Sequence, residues 1–388
     1  MNLKIEEEHN LMNVIKRSLA CILAAALMMG LTSCSDNSWS MKTNNTSLTI
    51  GTYIYYMNVG YNKAASKVED KSSNILDQTI DDKSVADYVK DEALLSCKKL
   101  IATENMFDEM GLSISDEEAA QANKDTNTLW KSYGTIYEGL GIAKDSFHRA
   151  YTMYNLKYSK ILNTKYGDEG SEKISDDEIK SYFTDHYTSY SYFSKDMSNA
   201  DSNVTTRELE SDEEADRIMQ EIESGSSEYN NGSEDETNSM ENVSKDFEDY
   251  SNKINDGTAY EDVFNEFKNK YSESDDKNIS SIENLENTNK NSIPDDVLSS
   301  LKSLEPLKSA AYNSSEGSLY VLYKHDINSD ISFLDTDSNK SQVKNECAYE
   351  KLDNAVKDIA SNLEVEINQK AIDKYPPSII EDRFKSKK

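Results

Sequence analysis

Apolar residues recur at three- and four-residue steps through Val85, Tyr88, Val89, Leu94, Cys97, Ile101, Phe107 and Met110, the spacing of one helix face. Ser84 is placed to cap the start of that helix and Gly111 to close it. Ser115 with Glu118, and Ser175 with Glu178, repeat the interval of a capping box and predict two further helix starts. Helical spacing also runs through Trp130, from Phe147 to Leu162, and from Ser175 to Phe183. Upstream, Leu48–Gly51 reads as a short strand leading into a helix through Tyr53, Tyr56, Met57 and Gly60, and 68–83 as polar loop. Around Tyr187 the pattern changes: Tyr187, Tyr190, Tyr192 and Phe193, spaced by serines, predict an aromatic β-strand. Helices are expected at 211–224, 241–255 and 258–270, with 225–240 flexible and 274–292 polar. Pro294 opens a helix through Val297 and Leu301, and Gly317–Tyr323 reads as a second strand. Val343, Cys347, Leu352, Val356, Ile359 and Leu363 form the apolar face of a last helix, with Pro376 and Pro377 beyond it. No repeat of 20–50 residues is present.

The first 34 residues follow a different logic. Lys16 and Arg17 precede an apolar run from Leu19 to Leu27, which is short for a permanent membrane helix, and small residues follow before Cys34. This order predicts a secretion signal, and Leu31-Thr-Ser-Cys34 resembles the lipobox of bacterial lipoproteins, in which the cysteine is acylated. An ordinary signal peptide and a buried apolar helix are the competing readings. Glu6, Glu7 and Glu8 do not suit a signal, and Met12 is the better start. On this reading 1–33 is a signal peptide and 34–47 a tether. The whole chain has 72 acidic against 42 basic residues, a net charge of −30, which excludes nucleic-acid binding through a basic stripe. The same charge keeps the chain off an anionic leaflet unless a lipid anchor holds it. Cys97 and Cys347 fall at apolar helix positions and read as buried thiols, although an extracytoplasmic compartment would permit a disulfide.

Several passages together resemble the extracytoplasmic foldases of the SurA and PrsA type. Met110-Gly-Leu-Ser-Ile-Ser-Asp-Glu-Glu118 is similar to the junction at which that family's long helix gives way to the next. Ile174–Phe183 resembles the lead-in to its inserted parvulin-like isomerase domain, Ala215–Gly225 that domain's first helix, and Phe264–Glu273 a later one. Leu304–Tyr323 resembles its closing β-hairpin. The resemblance implies a mainly α fold with a smaller α+β domain. A helical chaperone domain would span 48–186, completed by a C-terminal helix at 334–363, with a degenerate parvulin-like domain at 187–333 inserted and a tail at 364–388. It implies a lipid-anchored protein at the outer membrane face, acting without a cofactor on unfolded or newly secreted polypeptides. The parvulin pocket normally carries a histidine on its opening strand and another on its last. Here Tyr190–Lys195 has none, and Gly317-Ser-Leu-Tyr puts Leu319 or Tyr320 at the second place. The family's Gly-Gly-Asp-Leu-Gly turn is absent from 275–290. Isomerase activity is therefore not expected.

Other chemistry has little to start from. Asp335, Asp337, Asn339 and Glu346 reproduce positions 1, 3, 5 and 12 of a calcium loop, but Lys340 replaces the glycine it needs. A polar loop capping the last helix is the plainer account. His325 reads as a solvated residue at a strand end, and His148 and His186 lie in helical segments. No nucleophile elbow, phosphate loop or zinc-type spacing occurs. The 24 tyrosines are the remaining signal: Tyr53, Tyr55, Tyr56 and Tyr61 crowd the first helix, and Tyr151, Tyr154 and Tyr158 share a face of a later one. Such side chains suit either core packing or a surface that grips unfolded segments loosely. The residues expected to touch peptide are Tyr53, Tyr56, Tyr151, Tyr154, Tyr192 and Tyr320. Two alternatives stay open: an active prolyl isomerase with altered site residues, and a lipid-anchored protein that binds one specific partner or wall component.

Overall fold

The computed structural model describes residues 38–68, 70–197, 240–271, 277–286 and 293–385. Cys34, the signal segment, the helix expected at 211–224 and most of 225–240 lie outside the described residues. The fold is mainly α with a smaller α+β part. It divides into two compact units, one formed by residues up to Lys173 and from Ala348 onward, the other by Ile174–Cys347.

The first unit is built around helix α1 (Ile50–Lys67), which Thr49 caps by accepting from the Thr52 amide. Ile50, Tyr53, Ile54, Tyr55, Tyr56, Met57, Tyr61 and Ala64 are all buried, so α1 is apolar around most of its girth and sits inside the unit. Helix α2 (Val85–Glu109) packs along it through Val89, Ala93, Cys97, Leu100 and Ile101, each fully buried. Helix α3 (Asp116–Leu140) opens with the predicted capping box at Ser115 and Glu118, and Gly141 ends it at φ +89°, a conformation glycine adopts without strain. A short helix α4 (Lys144–Phe147) passes through a π-helical turn, His148–Met153, into α5 (Tyr154–Tyr166).

Two stretches read as tether and tail are parts of this core. Strand β1 (Trp39–Lys42) pairs antiparallel with β2 (Ser47–Thr49) and with β9 (Glu366–Ile367), and Met41 and Leu48 are fully buried. Beyond β9, Ala371, Ile372 and Ile380 enter the core, and the buried Glu381 accepts from the Tyr61 hydroxyl and the Leu76 amide. The polar 68–83 stretch contains a small hairpin of β3 (Thr79–Ile80) and β4 (Lys83–Ser84).

The second unit opens with α6 (Asp176–His186), capped by a box at Ser175 and Glu178. The boundaries expected at 187 and 333 bracket its sheet, but by packing α6 counts with that sheet. Four antiparallel strands run in the order β6-β5-β8-β7: β5 (Thr188–Asp196), β6 (Lys277–Glu283), β7 (Lys308–Asn313) and β8 (Ser318–Lys324). Helices α7 (Met240–Asn255) and α8 (Tyr260–Lys270) cover one face, and α9 (Asp295–Ser303) the other. On the α7/α8 side the ring of Phe193 is ringed by Phe247, Tyr250, Tyr260, Phe264 and Phe267 at centroid distances of 4.7–5.9 Å. On the α9 side, Tyr190, Tyr192 and Leu322 meet Val297, Leu298 and Leu301. Because both faces are covered, β5 is buried along most of its length. Strand β6 lies in a region expected only to be polar, and it forms because β5 supplies seven paired positions.

The last long helix, α10 (Asp337–Asn362), contains all but the first of the positions that imitated a calcium loop. A helical Asp337-to-Glu346 stretch cannot wrap an ion, and Glu346 accepts instead from Asn284 and Gln342. No group of three or more metal-binding side chains occurs among the described residues. Cys97 and Cys347 are both buried.

Candidate functional site

In the helical unit, Thr126 on α3 joins the π-helical turn through its hydroxyl, 2.7 Å from His148 Nδ1 and 2.8 Å from Thr152 Oγ1. Burial lowers the His148 pKa below the ordinary imidazole value, so this contact involves the neutral ring at neutral pH. A π turn holds one residue more than an α turn and shifts the side chains that follow it. Next to it lies an aromatic series: Tyr133–Tyr137 at 6.4 Å, Tyr137–Phe147 at 5.2 Å and Phe147–Tyr151 at 5.3 Å between centroids. Gly134 makes room for the Trp130 indole, since a Cβ there would lie 2.7 Å from Nε1. Tyr133 and Tyr151 remain 49% and 40% exposed, among the most open large side chains of the described residues.

Tyr151 forms one wall of an open groove of about 440 Å³ between α3 and α5, with Leu129, Leu156 and Ala122 supplying apolar surface and Asp125 and Glu118 acidic positions. Lys160 pairs with Glu118 at 2.7 Å, and that pair and the helix cap together hold the carboxylate below its usual range. Among the described residues no cation lines the groove itself. It offers aromatic and aliphatic area with an acidic rim. A larger cavity of about 500 Å³ beside the β1–β2 turn is lined by Asn44, Asn45, Asn105 and Glu366 and is mainly polar.

The six tyrosines expected to touch peptide are sorted by the fold. Tyr53 is 1% exposed, and among the described residues its hydroxyl has no hydrogen-bond partner. Tyr56 is buried and donates to the Ala150 carbonyl at 2.9 Å, which fastens α1 to the π turn. Neither ring is open to a peptide. Tyr151 faces the groove, and Tyr154 is half-buried against the core behind it. Tyr192 is buried in the sheet unit with its ring 5.6 Å from that of the half-buried Tyr320. Sequence reasoning missed Tyr133, although its i, i+4 spacing to Tyr137 marks the same face.

The α9 face of the sheet offers no catalytic histidine. Tyr190 donates to Glu283 at 3.1 Å, and burial pushes the Tyr192 and Tyr320 hydroxyls up. His325 differs from its expected place in solvent. It is half-buried on the α7/α8 face, with Nε2 2.8 Å from Ser191 Oγ and its ring edge-on to Tyr323. Ser191 Oγ also meets Ser280 Oγ at 2.7 Å, so the imidazole ends a short chain of side-chain contacts. Burial keeps His325 below the ordinary imidazole value.

No protein-family model matches the chain, and no curated protein matches it. Among solved structures it is similar to the crystal structure of PrsA from Bacillus subtilis, at 14% identity over 87% of this chain and 93% of that one, with a TM-score of 0.23. It is also similar to the foldase protein PrsA from Lactococcus lactis, at 11% identity over 89% of this chain and 98% of that one, with a TM-score of 0.25. Such values assign the chain to no family. Among the described residues no helix is long and apolar enough to cross a membrane.

Proposed function

We propose that this chain is an extracytoplasmic chaperone of the foldase type, tethered through a lipid on Cys34, that holds unfolded secreted polypeptides. The observation that carries the reading is the open groove at Tyr151. An exposed tyrosine beside Leu129 and Leu156 gives adaptable apolar contact, and no buried polar group is present to demand one ligand. The acidic rim favours segments that carry lysine or arginine next to an apolar residue. The sheet unit is read as a parvulin-like domain without isomerase activity, because its α9 face carries tyrosines and no histidine.

The test uses residues 35–388 in an aggregation-suppression assay with a reduced, denatured client, run beside a prolyl isomerisation assay. Leu129→Ser combined with Tyr151→Ser should weaken suppression about tenfold, the size expected for losing two apolar anchors. Tyr53→Phe should leave suppression unchanged. Equal suppression by the double variant removes the groove from the mechanism. Isomerisation by the wild type that Tyr192→Phe or Tyr320→Phe abolishes replaces the holding function with an altered isomerase.

A further inference from the structure

The two edges of the four-stranded sheet are finished differently. The Ser189 carbonyl accepts from the His325 amide at 2.8 Å, and the Met197 amide donates to Gly317 at 3.0 Å. The odd-numbered residues of β5 therefore turn their peptide groups toward β8, and the even-numbered ones toward β6. Tyr190 lies opposite Ser281, and Tyr192 opposite Ile279. The odd-numbered residues of β6 are thereby paired with β5. Asn278, Ser280 and Ile282 aim their N–H and C=O groups away from the sheet, and no described residue bonds to those groups.

At the opposite edge the same reasoning turns Ser309 of β7 outward. There the Asn255 amide closes both of its peptide groups, donating to the Ser309 carbonyl at 3.0 Å and accepting from its N–H at 2.9 Å. Among the described residues, Ser309 is thus closed by a side chain that imitates a neighbouring strand, whereas no such cap meets the outer edge of β6. The middle of that edge strand also lacks the usual deterrents, between Lys277 and Glu283 at its ends. From Asn278 to Ile282 no residue is charged and none is proline, in a chain that is 29% charged. Asn278, Ile279 and Ser280 are exposed, Ile279 at 38%.

We propose that the outer edge of β6 binds a stretch of unfolded polypeptide in extended form, as an added strand. A row of alternating donors and acceptors is satisfied repeatedly only by another extended backbone, whatever its sequence. Ile279 and Ser281 on one face and Asn278, Ser280 and Ile282 on the other give β-branched and small polar side chains to neighbour. A second copy of this chain is disfavoured as the occupant, because each copy carries a net charge of −30. This site works through main-chain groups and does not depend on the groove at Tyr151.

The experiment is hydrogen exchange on residues 35–388, with and without a short peptide of alternating valine and threonine ended by lysines. The control is the same peptide N-methylated throughout its centre. The plain peptide should slow exchange at Asn278, Ser280 and Ile282, and the N-methylated one should not. Ser280→Pro, which removes an outward donor without touching the β5 ladder, should weaken binding about tenfold, whereas Ser280→Ala should retain it. If Ser280→Pro fails to fold, the two peptides on the unaltered chain decide. Absent protection, or equal protection by both peptides, overturns the proposal. So does protection that rises with protein concentration alone, which would make a second copy the occupant.

Discussion

Helix α1 of the helical unit turns Tyr53, Tyr55, Tyr56 and Tyr61 into the core, and the aromatic surface left over lies on α3 and the π turn, at Tyr133 and Tyr151. In the sheet unit the aromatics are consumed by both faces of the sheet, around Phe193 on one side and Tyr190 and Tyr192 on the other. What remains accessible there is backbone, along β6. Both units hold a half-buried imidazole against a hydroxyl, His148 on Thr126 and His325 on Ser191. The same residue types therefore serve opposite ends. A helix satisfies its own peptide groups and can offer only side chains, whereas a sheet must leave an edge wherever it is not capped.

The largest effect that would test this contrast is Phe193→Ala. Its ring is fully buried among five aromatic neighbours, and removing it should cost the sheet unit about 3–5 kcal/mol. Trp39 and Trp130 both belong to the helical unit. In urea unfolding the change should therefore appear in far-ultraviolet circular dichroism, with the tryptophan transition unmoved. An equal shift in both signals would merge the two regions into one cooperative block.

A smaller change sharpens the difference between the sheet edges. Asn255→Ala removes both bonds to the Ser309 backbone and should cost about 1 kcal/mol, given that Asn255 itself is exposed. It should also add a second site of peptide-induced protection at Ser309. If exchange at Ser309 is unaltered in that variant, the cap is not what keeps that edge closed.

The smallest effect should come from pH. Burial holds the pKa of His148 and of His325 below that of an unfolded histidine. As pH falls through about 6.5 the unfolded chain takes up protons first, so stability is full above that value. It is lost as pH approaches the lower folded-state values. His148→Gln should flatten the pH dependence of the tryptophan transition alone, and His325→Gln that of the sheet signal alone. A pH profile unchanged by either substitution would show that neither imidazole is linked to folding.

Much of the helical framework was legible because its signals are local. The serine caps at Ser84, Ser115 and Ser175 each act on amides within one turn, and all three start helices as their spacing predicts. The strand at Tyr190–Phe193 was legible from its aromatic and serine content, and Gly317–Tyr323 from its β-branched and aromatic run. Strand β6 was not, since Asn-Ile-Ser-Ser-Ile gains its conformation from pairing with β5. The segment from Val365 to Glu381 read as a tail because its few apolar residues have no period of their own. Ala371, Ile372 and Ile380 are buried in a core with Met41, Leu48 and Tyr61, more than three hundred residues away, and Tyr61 also donates to Glu381.

The sequence by itself determined where helices begin, that a mainly helical chain carries a smaller β-containing unit, and that its net charge of −30 leaves no basic stripe. It also determined that the opening strand of that unit has no histidine. Only the tertiary structure decided which tyrosines are interior, that His325 meets Ser191, and that Asn255 caps Ser309 at one sheet edge while no described residue caps β6. The physical reason is range. Caps, helical periods and net charge are set by residues within a turn of one another or by simple addition. Burial, strand pairing and edge closure are set by whichever distant segment the chain brings alongside.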